Sequence, residues 1–176
     1  RTVEDVEECV RAVRAECPTS GGLHGVGMRR DVRFVMEGGS PEFVQALDEA
    51  VVAIMIEKES AVENLEDLLS VTGVDMVQFG PADYSMSLGL TGQWDHPRVK
   101  EAERHVIDTA LKMGVAPRAE ITRPDQAQKY LEWGVKHFCI GTDVSILFDW
   151  FKDNGGAMRE LLGERAAAES GGTATS

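Results

Sequence analysis

The sequence contains few cysteines, and no two of them have the C-x-x-C spacing. Cys9, Cys17 and Cys139 are an odd number of thiols, which argues against both a disulfide framework and a zinc site. Free thiols persist in reducing compartments, so we expect a cytoplasmic protein. The sequence also lacks a long hydrophobic run. The longest one, residues 50–56, is far too short to span a membrane.

Positive charge is scarce as well. The 18 lysines and arginines are outnumbered by 30 aspartates and glutamates, which gives a formal net charge of −12 at pH 7. Because nucleic acids are polyanions, this balance argues against nucleic acid as the main partner. Hydrophobic residues make up 43% and charged residues 27% of the 176 residues, which is typical of a globular domain with a buried core.

Short apolar runs alternate with helical patterns along most of the chain. The runs predict four strands, at residues 51–56, 76–79, 115–119 and 137–140. Segments with apolar residues at helical spacing predict helices between them. After the second strand we expect a long loop first, and then a helix that starts at Pro97. After the fourth strand we expect two short helices, at 145–152 and 157–165, and then a disordered tail over 166–176. The alternation is typical of a parallel α/β sheet, either open or closed into a barrel.

Two carboxylates follow neighbouring strands at the point where each strand ends. Glu57 comes directly after the first strand, and Asp83 follows the second one through the turn Gly80-Pro81-Ala82. The carboxyl ends of parallel strands meet at the same edge of a sheet, where ligands of α/β proteins bind. Both carboxylates can then share one ion, and all-oxygen ligation suits a hard cation such as Mg²⁺ or Mn²⁺.

Each carboxylate also has a purely structural interpretation. A carboxylate at the end of a buried strand must stay hydrated or find a cation, so an ion pair with Lys58 or an arginine is an alternative role for Glu57. A helix cap or an Asx turn after the Gly-Pro pair is the alternative role for Asp83. Spacing leaves both alternatives open.

Three runs of residues carry a resemblance to a known family. They are Ile54-Met-Ile-Glu57, Gly73-Val-Asp-Met-Val-Gln-Phe-Gly80-Pro-Ala-Asp83 and Leu131-Glu-Trp-Gly-Val-Lys-His-Phe-Cys-Ile-Gly141. These runs resemble the HpcH/HpaI aldolase family, whose members are class II, metal-dependent aldolases of 4-hydroxy-2-oxo acids. The resemblance covers about residues 1–162, and the last run is similar to the family's final barrel strand.

The resemblance implies a (β/α)8 TIM barrel of about 250 residues. This chain would then hold only the last four β/α units, within residues 1–165. Glu57 and Asp83 would be the metal ligands, with Mg²⁺ or Mn²⁺ expected and Co²⁺ as an alternative. The Gly80-Pro81-Ala82 turn would belong to the substrate site, where the amides of Ala82 and Asp83 hold the carboxylate of pyruvate. The family's catalytic base and an arginine come from the earlier half of the barrel and have no counterpart here.

Two departures from the family pattern concern the substrate pocket. Relatives often have Gln two residues before the metal-binding Glu, where this chain has Met55. After the third of these strands, relatives of one type have Gly-Ile-Leu, where this chain has Arg118-Ala-Glu120. We therefore expect a more polar pocket, in which Arg118 and Glu120 bind the polar tail of the aldehyde part of the substrate. A salt bridge between these two side chains is the alternative.

The function implied by the resemblance is a carbon–carbon lyase that cleaves a 4-hydroxy-2-oxo acid to pyruvate, or an analogue, and an aldehyde. Its partners would be these small molecules and further copies of the chain in a homo-oligomer, because related barrels pack end helices against neighbours. We expect this chain alone to be inactive. Two alternatives stay open: an acyl-CoA lyase of the same superfamily, and a non-catalytic, truncated half-barrel that binds a metal.

Overall fold

The chain builds an α/β fold around one parallel sheet, and the computed structural model describes residues 2–26 and 38–171. Its helices and strands in chain order are α1 (Val3–Val13), α2 (Pro41–Asp48), β1 (Ala53–Ile56), α3 (Glu59–Glu63), α4 (Leu65–Leu69), β2 (Met76–Phe79), α5 (Pro81–Ser87), α6 (Pro97–Met113), β3 (Ala116–Ile121), a 3-10 turn (Pro124–Gln126), α7 (Ala127–Glu132), β4 (His137–Ile140) and α8 (Asp143–Gly171). Within the described ranges, no helix combines the length and the apolar character needed to cross a lipid bilayer.

The four strands pair in the order β1-β2-β3-β4, and every pair is parallel. Ile56 of β1 lies beside Phe79 of β2, and Gln78 of β2 lies beside Arg118 of β3. Because side chains alternate along a strand, residues in register point to the same face of the sheet. One face therefore carries Ile56 and Phe79, which belong to the apolar core, and the other carries Gln78 and Arg118.

The apolar face of the sheet packs against α4 and α6. Leu65 and Leu68 of α4 and Val99 and Val106 of α6 are almost completely buried in one cluster with Val77 of β2. Full burial of such a side chain contributes about 1.5–3 kcal/mol. This layer therefore fixes β1 and β2, and with them the residues that follow each strand.

Arg14 links the segments that precede these two strands. Its guanidinium group donates hydrogen bonds to the carbonyl oxygens of Leu47, at 3.0 Å, and Ala50, at 2.7 Å. Its other nitrogen lies 3.7 Å from Oδ2 of Asp75, which also accepts a hydrogen bond from the N–H of Val52 at 2.8 Å. The segment before β1 is thus tied to the segment before β2, which supports their register.

The predicted strands are confirmed in number and order. The bounds of β2 and β4 match the prediction, and those of β1 and β3 differ from it by one or two residues. One prediction between the strands is wrong. The segment after Gly80, expected as a loop, begins with helix α5. Pro81 occupies the first helical position, where its fixed φ suits a helix and its missing N–H costs nothing.

The prediction of two short helices after β4 is also wrong, because α8 is continuous from Asp143 to Gly171. The expected break lies at Gly155 and Gly156, but each glycine costs a helix only about 1 kcal/mol relative to alanine. The helix includes residues 166–171, which we expected in a disordered tail. Residues 172–176 lie outside the described ranges, where the tail stays a prediction.

Candidate active site

Glu57 and Gly80 leave the sheet side by side, because they follow the paired residues Ile56 and Phe79. The N–H of Gly80 donates to the carbonyl oxygen of Ile56 at 2.9 Å, which fixes the approach of the two segments. A Cβ atom at position 80 would lie 3.0 Å from Cβ of Glu57 and 3.2 Å from its Oε2. Glycine at this position therefore leaves the Glu57 carboxylate the room that a side chain would fill.

Asp83 lies in the first turn of α5. The ammonium group of Lys58 donates a hydrogen bond to Oδ1 of Asp83 at 3.0 Å. No other hydrogen bond to this carboxylate is present among the described residues, so the helix-cap and Asx-turn alternatives do not apply. The ion-pair alternative for Glu57 does not apply either. Lys58 pairs with Asp83, and no lysine or arginine in the described ranges forms a salt bridge with Glu57.

Glu57 and Asp83 line one cavity of about 670 Å³ at the carboxyl ends of the strands. No set of three or more His, Cys, Asp or Glu side chains within residues 2–26 and 38–171 is grouped to hold a metal ion. The two carboxylates nevertheless suit Mg²⁺, which proteins usually bind through one or two carboxylates, with waters and substrate completing the shell. Lys58 binds only Oδ1 of Asp83, and Oδ2 has no hydrogen-bond partner among the described residues, so that oxygen is open to a cation.

Gly80, Pro81 and Ala82 line the same cavity. Ala82 and Asp83 belong to the first turn of α5, where backbone N–H groups have no partner inside the helix. These N–H groups are therefore available to an anionic group in the cavity.

Arg118 and Glu120 line the cavity from β3, two residues apart on the same face of the sheet. In the part of the chain that the structure describes, no salt bridge joins them, so that alternative does not apply. Glu120 instead accepts a hydrogen bond through Oε2 from Nε2 of Gln78, at 3.0 Å. Gln78 is 5% exposed, and its Oε1 atom has no hydrogen-bond partner among the described residues.

Sequence reasoning overlooked Gln78. The available signal was an amide in the middle of the otherwise apolar strand Met76–Phe79, because glutamine is rarely buried without a specific reason. The pattern gives no indication of which side chain the amide binds, since its partner belongs to another strand.

Helices α6 and α7 form a further wall of the cavity. The Tyr130 hydroxyl donates a hydrogen bond to Oε1 of Glu103 at 2.6 Å, and both residues are buried. The ammonium groups of Lys129 and Lys100 lie 3.7 Å and 3.9 Å from Oε2 of Glu103. Burial, and then the hydrogen bond to Glu103, raise the pKa of Tyr130 far above its usual value. Tyr130 therefore stays protonated and joins the two helices.

Sequence comparison relates the chain to a family of lyases. The profile of the HpcH/HpaI aldolase/citrate lyase family matches residues 1–149. A 4-hydroxy-2-oxo-heptane-1,7-dioate aldolase from Shigella flexneri is 35% identical over 148 residues, which are 82% of this chain and 54% of the relative. The chain thus spans about half the length of the curated relatives that it matches.

Solved structures agree with the sequence comparison. An HpcH/HpaI aldolase/citrate lyase family protein from Burkholderia cenocepacia J2315 is 30% identical with a TM-score of 0.74, over 90% of this chain and 62% of that one. An HpcH/HpaI aldolase from Desulfitobacterium hafniense DCB-2 is 30% identical with a TM-score of 0.73, over 90% of this chain and 61% of that one.

Proposed function

The chain belongs to the HpcH/HpaI aldolase/citrate lyase family, and we propose that it provides the metal-binding part of a divalent-metal-dependent aldolase. The proposed reaction splits a 4-hydroxy-2-oxo acid into pyruvate, or a close analogue, and an aldehyde. The observation that carries the proposal is that Glu57 and Asp83 line one cavity at the carboxyl ends of β1 and β2. The fold is that of the family's TIM barrels, and the described residues form four consecutive strands of it.

The residues around the cavity have distinct proposed roles. Glu57 and Asp83 bind the ion, which is Mg²⁺ or Mn²⁺, with Co²⁺ as an alternative. When bound, this ion supplies Lewis acidity toward the 2-oxo acid. The N–H groups of Ala82 and Asp83 hold the carboxylate of the 2-oxo acid, and Arg118 and Glu120 face the aldehyde part.

Cleavage of the carbon–carbon bond also requires a base that accepts the proton of the 4-hydroxyl group. We assign neither this base nor the arginine of the family's site to a residue of this chain. Both are expected in the half of the barrel that the curated relatives have and that this chain does not span.

We further propose that the protein is a cytoplasmic homo-oligomer. Three free cysteines, Cys9, Cys17 and Cys139, support a reducing compartment. Helix α8 supports self-association, because large apolar side chains along it are more than half exposed and an apolar surface of this extent favours a partner. These side chains are Val144, Ile146, Leu147, Phe148, Trp150, Phe151, Met158, Leu161 and Leu162.

Isosteric substitutions test the ion site in the full-length protein. Glu57→Gln and Asp83→Asn keep the side-chain volume and remove the charge. Each should lower kcat for pyruvate release by at least roughly 100-fold and weaken Mn²⁺ binding measured by calorimetry. The matched control is Glu59→Gln, since Glu59 pairs with Arg98 at 3.0 Å and does not line the cavity. The control should change kcat by less than about twofold. Pyruvate release that persists at full rate after treatment with EDTA contradicts the proposal.

Two further results of the same assay would support the alternatives. Turnover that depends on an acyl-CoA thioester indicates a lyase of that class. Metal binding by the full-length protein without turnover of any 2-oxo acid or thioester indicates a non-catalytic role.

A further inference from the structure

Gln78 of β2 lies beside two oppositely charged side chains of β3, Arg118 and Glu120, on one face of the sheet. Its Nε2 atom donates to Oε2 of Glu120 at 3.0 Å, and its neighbour in the strand register is Arg118. We infer that Gln78 is a positioning residue. By holding Glu120, it keeps the Arg118 guanidinium group available for an anionic group on the aldehyde part of the substrate. This inference rests on the proposed aldolase function.

The spacing of Arg118 and Glu120 would otherwise favour a pair. Two residues apart on one strand face, their Cα atoms are separated by about 6.6 Å. Long, flexible side chains close that distance readily, and an arginine and a carboxylate then form a strong, charge-assisted contact. The described residues contain no such contact, and the Glu120 oxygen is bound to the amide of Gln78 instead.

The amide of Gln78 is costly for the fold. Its Oε1 atom is buried without a partner among the described residues, and a buried polar atom in this state costs about 1–3 kcal/mol. The flanking Val77 and Phe79 are apolar and buried, and Met55 is the neighbour of Gln78 on β1. A methionine or leucine at position 78 would avoid this cost, so the amide is explained by what it holds and not by the core.

The charges around the cavity leave Arg118 unmatched. Lys100 and Lys129 also line the cavity, and both lie within 4 Å of the Glu103 carboxylate. Among the basic residues that line the cavity in the described ranges, Arg118 alone has no acidic partner. A guanidinium group in this setting binds a carboxylate through paired hydrogen bonds. Arg118 is therefore the residue of this chain that would bind an anionic group at the far end of the aldehyde part.

The test uses the full-length protein and three 4-hydroxy-2-oxo acids whose tails end in a carboxylate, a hydroxyl or a methyl group. Gln78→Met keeps the length of the side chain but cannot donate to Glu120, which can then pair with Arg118. We expect kcat/KM for the carboxylate-tailed substrate to fall by about tenfold or more, through KM, and that for the methyl-tailed substrate to change by less than about twofold. Gln128→Met is the matched control, because Gln128 binds Glu132 on α7 at 3.0 Å, away from the cavity. It should leave all three values unchanged.

A second variant separates positioning from a general structural role. In Gln78→Met/Glu120→Ala the competing carboxylate is gone, so Arg118 is free again and the preference for the carboxylate tail should return. The preference is a ratio of kcat/KM values measured within one variant. A smaller fraction of folded protein lowers all the values equally and leaves their ratio unchanged. Three results overturn this inference but leave the proposed function intact: an equal fall of kcat/KM for all three substrates, an unchanged preference in Gln78→Met, or no recovery of the preference in the double variant. A wild type that releases no pyruvate from any of the three, with or without a divalent metal, overturns the proposed function as well.

Discussion

At the scale of single residues, the hydrogen bond between Tyr130 and Glu103 should contribute measurably to stability. Tyr130→Phe removes the donor and leaves a buried carboxylate with one partner fewer, so the free energy of unfolding should fall by about 1.5–3 kcal/mol. Tyr84→Phe is the control. Tyr84 is equally buried, but its hydroxyl has no hydrogen-bond partner among the described residues, so its loss should cost no more than about 0.5 kcal/mol. Urea denaturation of the full-length variants measures both values, and similar losses for the two would contradict this account.

Some residues of the candidate site were predictable because they directly follow predicted strands, and the direction of a strand decides at which edge of the sheet it ends. Glu57 and Asp83 come after consecutive strands, and parallel strands bring their carboxyl ends to one edge. Gln78 was not predictable in the same way, because its partner Glu120 depends on the lateral register of β2 and β3. Gln78 also lies beside Met55 in the register of β1 and β2. The spacing of Gln78 and Met55 along the sequence does not show that they are neighbours.

At the scale of whole elements, the exposed apolar side chains of α8 favour an interface with another chain. At 1.5 Å per residue, its 29 residues extend over about 43 Å. Replacing both Phe148 and Phe151 by serine removes two side chains that are each 64% exposed, and the full-length protein should then dissociate into smaller species. The control replaces the exposed Asp149 and Lys152 by serine on the same helix and should leave the assembly intact. Analytical ultracentrifugation distinguishes the two, and an unchanged mass for the phenylalanine variant excludes α8 from the interface.

The strands were easier to predict than the helices around the cavity. Runs such as Met76–Phe79 are apolar except for Gln78, as is typical of strands buried under helices, and turn residues bound them on both sides. Helix α5 was missed because Gly80-Pro81 is typical of a turn, although proline also suits the first position of a helix. Helix α8 was divided because of Gly155 and Gly156, and the low cost of two glycines in a helix of this length was underestimated.

At the scale of the whole molecule, β1 and β4 each pair with one strand among the described residues, so each has one free edge. Exposed edges of this kind invite association with other chains. We predict that residues 1–176, produced alone, associate or lose stability and do not release pyruvate, since the base and the arginine of the site are expected elsewhere. Light scattering and a pyruvate assay on the purified chain provide the measurement. Cleavage of a 4-hydroxy-2-oxo acid by a monomer of these residues at the rate of the full-length protein would refute the prediction.

The order of the strands has a consequence for the time course of folding. Each strand pairs with the strand next to it in the chain, so none of these pairings requires two distant segments to find one another. The cost of closing a loop rises slowly with its length and is lowest for β3 and β4, which are separated by little more than α7. The pairing of β2 with β3 must wait for the longer stretch that contains α5 and α6. During synthesis, each strand that leaves the ribosome after β1 therefore meets a partner that is already present, and the sheet grows in the direction of translation.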